Sequence, residues 1–175
     1  MSSESKWTRR RFDFTFPVEL YPEILERLRG TPDRLEARLR PIPDSLLLRK
    51  EGDNWSIQEH AGHLLDLEPL AMGRLDDFES GVAVLRPADM ENSKTYEARH
   101  NEKQLDTILK TFRSERARIV ERLEGWPQER FSLTAIHPRL NITMRAVDLM
   151  FFHAEHDDNH MARITALLNA ATIGN

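Results

Sequence analysis

Ser56-Ile57-Gln58-Glu59-His60-Ala61-Gly62-His63-Leu64-Leu65-Asp66-Leu67-Glu68 opens a helix and sets a histidine beside its apolar stripe. Ser56 and Glu59 have the spacing of a capping box: the hydroxyl accepts from the amide three residues on, and the carboxylate returns to the Ser56 amide. Ile57, Ala61, Leu64, Leu67, Ala71, Leu75 and Phe78 continue at helical intervals as far as Gly81.

The same period recurs on either side. Leu20, Ile24, Leu25, Leu28, Leu35 and Leu39 mark a helical segment over residues 17–40. Gly30-Thr31-Pro32 interrupts it, which predicts one bent helix or two abutting ones. Residues 41–54 read as a connection with one short turn. Leu105, Ile108, Leu109, Phe112, Ile119 and Leu123 give a third helix that closes near Gly125-Trp126-Pro127. Val147, Met150, Phe151, Ala154, Ile164, Leu167 and Leu168 give a fourth, with Thr143 as its expected cap. Phe112 and Trp126 are expected in the core or at a dimer interface. No stretch alternates convincingly as a strand, so the pattern predicts an all-α four-helix bundle. Residues 17–175 are expected to form one domain. Residues 1–16, with Arg9, Arg10 and Arg11, show no helical period and are expected as an arm, a docking strand or a frayed end.

Composition narrows the chemistry. The 175 residues carry a formal net charge of -4 and no cysteine. That balance argues against a nucleic-acid partner. It also removes disulfides, thiolate metal sites and a cysteine nucleophile, leaving imidazole and oxygen as metal ligands. No apolar run has the roughly 18–20 residues of a membrane span and the first residues lack a signal-type apolar stretch, so a cytoplasmic protein is expected, off the membrane.

Three of the seven histidines, His153, His156 and His160, crowd the fourth helix. Side chains four residues apart project about 40° apart and about 6 Å along the axis, so His156 and His160 can aim at one point. Alone, such a pair is as often a surface accident or a set of hydrogen-bonded core histidines. A third histidine from another helix changes that weighing. His63 lies about 10 Å into its helix, and it draws level with the pair only if the second and fourth helices run antiparallel. An up-down-down-up bundle provides this and needs a long crossover between helices two and three, which residues 81–100 can supply. His60 is expected to pack on Trp55, while His100 and His137, in connecting segments, carry no expectation beyond exposure. Arg145 and Arg163 flank the proposed site and could attract an anion, although exposed helix arginines are the ordinary case.

Trp55-Ser56-Ile57-x-Glu59-x-x-x-His63-Leu64-x-x-x-Glu68, followed by Ala154-Glu155-His156-x-x-x-His160-x-x-x-Ile164, resembles the DinB/YfiT-like superfamily over about residues 20–170. The resemblance implies an up-down-down-up four-helix bundle with a divalent metal, nickel, zinc, iron or manganese, held by His63, His156 and His160. It favours His156 over His153, which is left behind the ligands or in the cavity wall. Glu68 follows the family pattern and is expected to support a ligand histidine or act as a general base, against the alternative of a solvated helix carboxylate. Homodimerisation is implied by the resemblance alone. Characterised members include thiol-dependent transferases and isomerases, so the expected reaction is transfer to a low-molecular-weight thiol activated at the metal, acting on a small molecule. Hydrolysis by metal-activated water, and a non-catalytic metal-stabilised dimerisation module, are the competing expectations.

Overall fold

The computed structural model describes residues 4–173 of the chain. Four long helices carry the fold: α2 (Tyr21–Leu39), α4 (Ile57–Glu79), α6 (Leu105–Glu124) and α7 (Ala146–Ile173). Short helices α3 (Asp44–Leu47) and α5 (Ser93–Glu97) punctuate the connections, and α1 (Glu4–Arg9) forms within the N-terminal stretch, where no helical period was expected. The interruption at Gly30-Thr31-Pro32 does not break α2: Pro32 sits inside a continuous helix, and Thr31 turns its hydroxyl back onto the Arg27 carbonyl. The capping box of α4 forms as its sequence dictates, Glu59 N–H to Ser56 Oγ at 3.1 Å and Ser56 N–H to Glu59 Oε2 at 2.8 Å.

Cross-helix bonds give the directions. Along α2 and α7, Arg27 meets Glu155, Arg34 meets Asp158 and Arg38 meets Thr165, so the two run parallel. Arg40 meets Asp106 whereas Arg29 meets Glu124, so α2 and α6 are antiparallel. Glu68 with Arg116 and Glu79 with Arg122 make α4 and α6 parallel. The order is therefore up-down-down-up, with each long helix packed on two others and consecutive pairs α2/α4 and α6/α7 across the diagonal. The apolar interior divides into two clusters, one around Leu28, Phe78, Ile119 and Phe131, the other around Leu35, Ile57, Phe112 and Ile164. A buried polar layer separates them.

The crossover from α4 to α6 is fastened to α4. Gln58 Nε2 donates to the carbonyls of His100 and Lys103, and His100 Nε2 lies 2.7 Å from Asp66 Oδ2. The His100 ring occupies the space where a side chain at Gly62 would be, an ideal Cβ falling 2.1 Å from it. His100 is 1% exposed and His137 2% exposed. Both were expected at the surface, and the correction has one cause: their segments fold back onto the bundle instead of looping into solvent.

A second correction concerns residues 134–145, where no strand was expected. Thr134–His137 (β1) and Ile142–Arg145 (β2) form an antiparallel hairpin, and Val84 of the crossover bridges to Ile136. Four-residue strands are too short for alternation to show in sequence. Thr143, expected to cap the fourth helix, pairs with Ile136 inside the hairpin. Asp148 takes over the capping, its Oδ2 accepting the Arg145 N–H at 2.8 Å.

The segment before α2 lies along α7. Phe12 packs on Phe152 and Phe16 on Phe151, and Arg145 Nη2 donates to the carbonyls of Phe14 and Phe16 at 3.0 and 2.9 Å.

Candidate metal centre

Antiparallel α4 and α7 bring His63 level with His156 and His160. One ring nitrogen from each lies within 4.8 Å of the others, and His156 Nε2 is 3.2 Å from His160 Nε2. The opposite nitrogens point outward. His63 Nδ1 is 2.9 Å from Thr95 Oγ1 on α5, and His160 Nδ1 is 2.9 Å from His60 Nδ1. His156 Nδ1 is buried with no partner among the described residues, under the Trp7 ring at a centroid distance of 5.1 Å.

Burial holds these rings neutral. It lowers His63 and His156 to about 3 each and His60 to about 4, and it pushes His160 well below the ordinary histidine value, with the neighbouring imidazoles adding to the effect. Neutral imidazole is the ligand form. Ligand nitrogens on one cation at metal–nitrogen bonds of about 2.0–2.1 Å stand about 3–3.4 Å apart, and the 3.2 Å between His156 and His160 matches that separation. The donor set thus fits a divalent metal with three imidazoles and positions left for substrate.

Glu68, the carboxylate singled out in the sequence, lies one layer deeper. It is 1% exposed, and both its oxygens accept from Arg116, Oε2 from Nε at 2.9 Å and Oε1 from Nη2 at 2.7 Å. Arg116 also donates to Asp157 Oδ2 at 2.6 Å and to the Leu28 carbonyl at 3.0 Å. Burial alone would raise the Glu68 and Asp157 carboxyls, but the guanidinium holds both below the usual carboxylate range. His153 joins this layer, its Nε2 2.8 Å from Arg116 Nη2, and presents its ring to the cavity above. Sequence reading missed Arg116. Its helical register, four residues after Phe112 and three before Ile119 on the apolar stripe, was the available signal.

The three histidines open into a cavity of about 430 Å³. Trp7, Trp55 and Phe152 form part of its wall, with His153, Arg163 and the aliphatic face of α4. His60 packs edge-on against Trp55, as expected, at 5.5 Å between centroids, and it additionally meets His160. Arg145 is taken up by Asp148 and the N-terminal segment. Phe112 and Trp126 are core residues.

The model of the DinB superfamily matches residues 27–164. No protein of curated function matches the chain. Among solved structures it is similar to YfiT from Bacillus subtilis, described as a probable metal-dependent hydrolase with an unusual four-helix bundle topology. The identity is 17% and the TM-score 0.76, over 93% of this chain and 94% of YfiT, so what the two share is the fold.

Proposed function

This chain belongs to the DinB superfamily, and on that premise we propose that His63, His156 and His160 hold a divalent cation that makes the protein an enzyme for small molecules. The convergence of three neutral imidazoles, two buried and the His156 ring half-buried, carries the reading. With the Nδ1 atoms of His63 and His160 protonated toward Thr95 and His60, their inner lone pairs face one another beside His156 Nε2, an arrangement that a cation among them relieves. When bound, the metal acidifies a coordinated water or thiol and supplies a nucleophile near neutral pH.

The chain's own groups do the rest. Thr95 and His60 fix ring orientation, Trp7, Trp55 and Phe152 make part of the cavity wall aromatic, and His153, held by Arg116, lies beside them. Glu68 acts as a positioning residue through Arg116 and His153. Since both its oxygens are taken, it offers no free base at the substrate. The first reading takes a low-molecular-weight thiol as the nucleophile, on the family resemblance; held by the three histidines, a cation would let either a thiol or a water lose its proton without a protein base. Hydrolysis is the second reading, and the description of YfiT favours it.

Metal analysis of the purified protein tests the centre: one divalent ion per chain, lost in His63→Ala with the helical signal retained, is the expected result. A folded wild type that binds no divalent metal overturns it. Activity that rises with added thiol supports transfer, and thiol-independent ester or amide cleavage assigns hydrolysis instead.

A further inference from the structure

Eleven residues beyond His63 on the same helix stands Arg74, about 16 Å along the axis and only about 20° around it. It lines the same cavity and is 6% exposed. Its Nε donates to the Arg86 carbonyl at 3.1 Å, but its Nη2 is buried with no hydrogen-bond partner among the described residues. The nearest candidate counter-ion is spoken for: Asp77 receives Arg86 Nη2 on one oxygen at 2.8 Å and Arg86 Nε and N–H on the other at 3.0 and 2.8 Å. Asp89, also in the cavity wall, accepts from the amides of Glu91 and Lys94. A buried guanidinium without a carboxylate is costly to keep.

His137 sharpens the point. The Leu140 N–H donates to its Nδ1 at 3.2 Å, which makes Nδ1 the acceptor. Burial, then the charges of Arg74 and Arg139, lower its pKa to about 4, so the ring is neutral and its single proton is on Nε2. That Nε2 lies 3.5 Å from Arg74 Nη1, so a donor faces a donor. Arg139 adds a second guanidinium, over the Phe152 ring and 3.5 Å from the Thr8 carbonyl through Nη1. Three donor-bearing side chains thus line one end of the cavity, and Arg74 Nη2 among them has no acceptor among the described residues.

We propose that Arg74, His137 and Arg139 receive the carboxylate of the substrate, so that the enzyme takes carboxylic acids whose reacting group lies at the three-histidine end. A planar monoanion suits the site: Arg74 Nη2 supplies a charged donor and His137 Nε2–H a neutral one, while Leu67, Leu70 and Ala71, between His63 and Arg74 on α4, line an apolar middle. The inference rests on reading the histidine cluster as the reacting end of this cavity.

Calorimetry with 4-phenylbutanoate, 4-phenylbutanamide and phenyl phosphate, on the protein with and without zinc, tests it. The acid is expected to bind at least about tenfold more tightly than the amide in both forms, with more than about tenfold lost in Arg74→Gln and in Arg139→Gln and part retained in Arg74→Lys. The acid–amide comparison on the unaltered protein needs no variant to fold. Equal affinity for acid and amide, no detectable binding, unchanged affinity in Arg74→Gln, or preference for phenyl phosphate overturns the proposal. Failure of the metal reading looks different: no stoichiometric zinc, with carboxylate binding intact.

Discussion

His60 Nδ1 lies 2.9 Å from His160 Nδ1, so the outer face of one cluster histidine is set by a fourth histidine one turn before His63. Only one of the facing nitrogens can carry the proton. A proton on His160 leaves its Nε2 lone pair free to face the centre.

Replacing His60 therefore weakens the metal site without removing a ligand. His60→Ala is expected to lower zinc affinity about 10–100-fold, the range for loss of a hydrogen-bond partner behind a ligand histidine. Competition titration against a chromogenic chelator measures it. An affinity equal to the unaltered protein's would assign His60 to packing against Trp55 alone.

The Arg116 layer predicts a large stability loss. Arg116 is 1% exposed between Glu68 and Asp157. Arg116→Met leaves two carboxylates buried without their cation, a loss of about 3–5 kcal/mol in urea unfolding. Adding Glu68→Gln and Asp157→Asn is expected to return part of it. A single variant as stable as the parent would show that the layer is well solvated.

Gly62 is required by the crossover. A methyl group there would fall on the His100 ring, and Gly62→Ala is expected to cost about 1–3 kcal/mol through that overlap. The cost should shrink when the same change is made in a His100→Ala background. An undiminished loss in the double variant would locate the clash elsewhere.

The pH dependence of the metal-free protein follows from the buried imidazoles. His60, His63, His137 and His156 all titrate below the ordinary value of 6.5 in the folded state, at about 4, 3, 4 and 3. The unfolded chain then binds more protons between those values and 6.5, so stability rises with pH across that window. It is fully present above pH 6.5 and is lost as pH falls toward 4 and 3. At pH 5 the loss is on the order of 1–2 kcal/mol per imidazole. Thermal melts of chelator-treated protein should show a Tm lower by about ten degrees or more at pH 5 than at pH 7.5. A flat profile would mean that these rings are solvated.

The bundle was legible because its information is local and periodic. The stripes of α4, α6 and α7 and the Ser56–Glu59 box each lie within one helix, and a long crossover paired with level histidines selects up-down-down-up over the simpler alternative. The hairpin was not legible, because strands of four residues are held by partners distant in sequence: Ile136 pairs with Thr143 and also meets the crossover at Val84. His100 and His137 misled for the same reason. Nothing local marks a loop histidine that will fold back onto a helix.

The same division holds at the site. Helical spacing alone allows His156 and His160 to share a target and lets His63 join them from an antiparallel helix, since rise and rotation per residue are fixed by backbone geometry. Tertiary structure alone decided what stands behind each ring: Thr95 behind His63, His60 behind His160, and Arg116 taking Glu68 out of reach of the cavity. It alone brought Arg74 on α4 against His137 on β1. Such pairings depend on how separate elements pack, and a side chain's charge or hydrogen-bonding capacity does not specify which distant element will meet it.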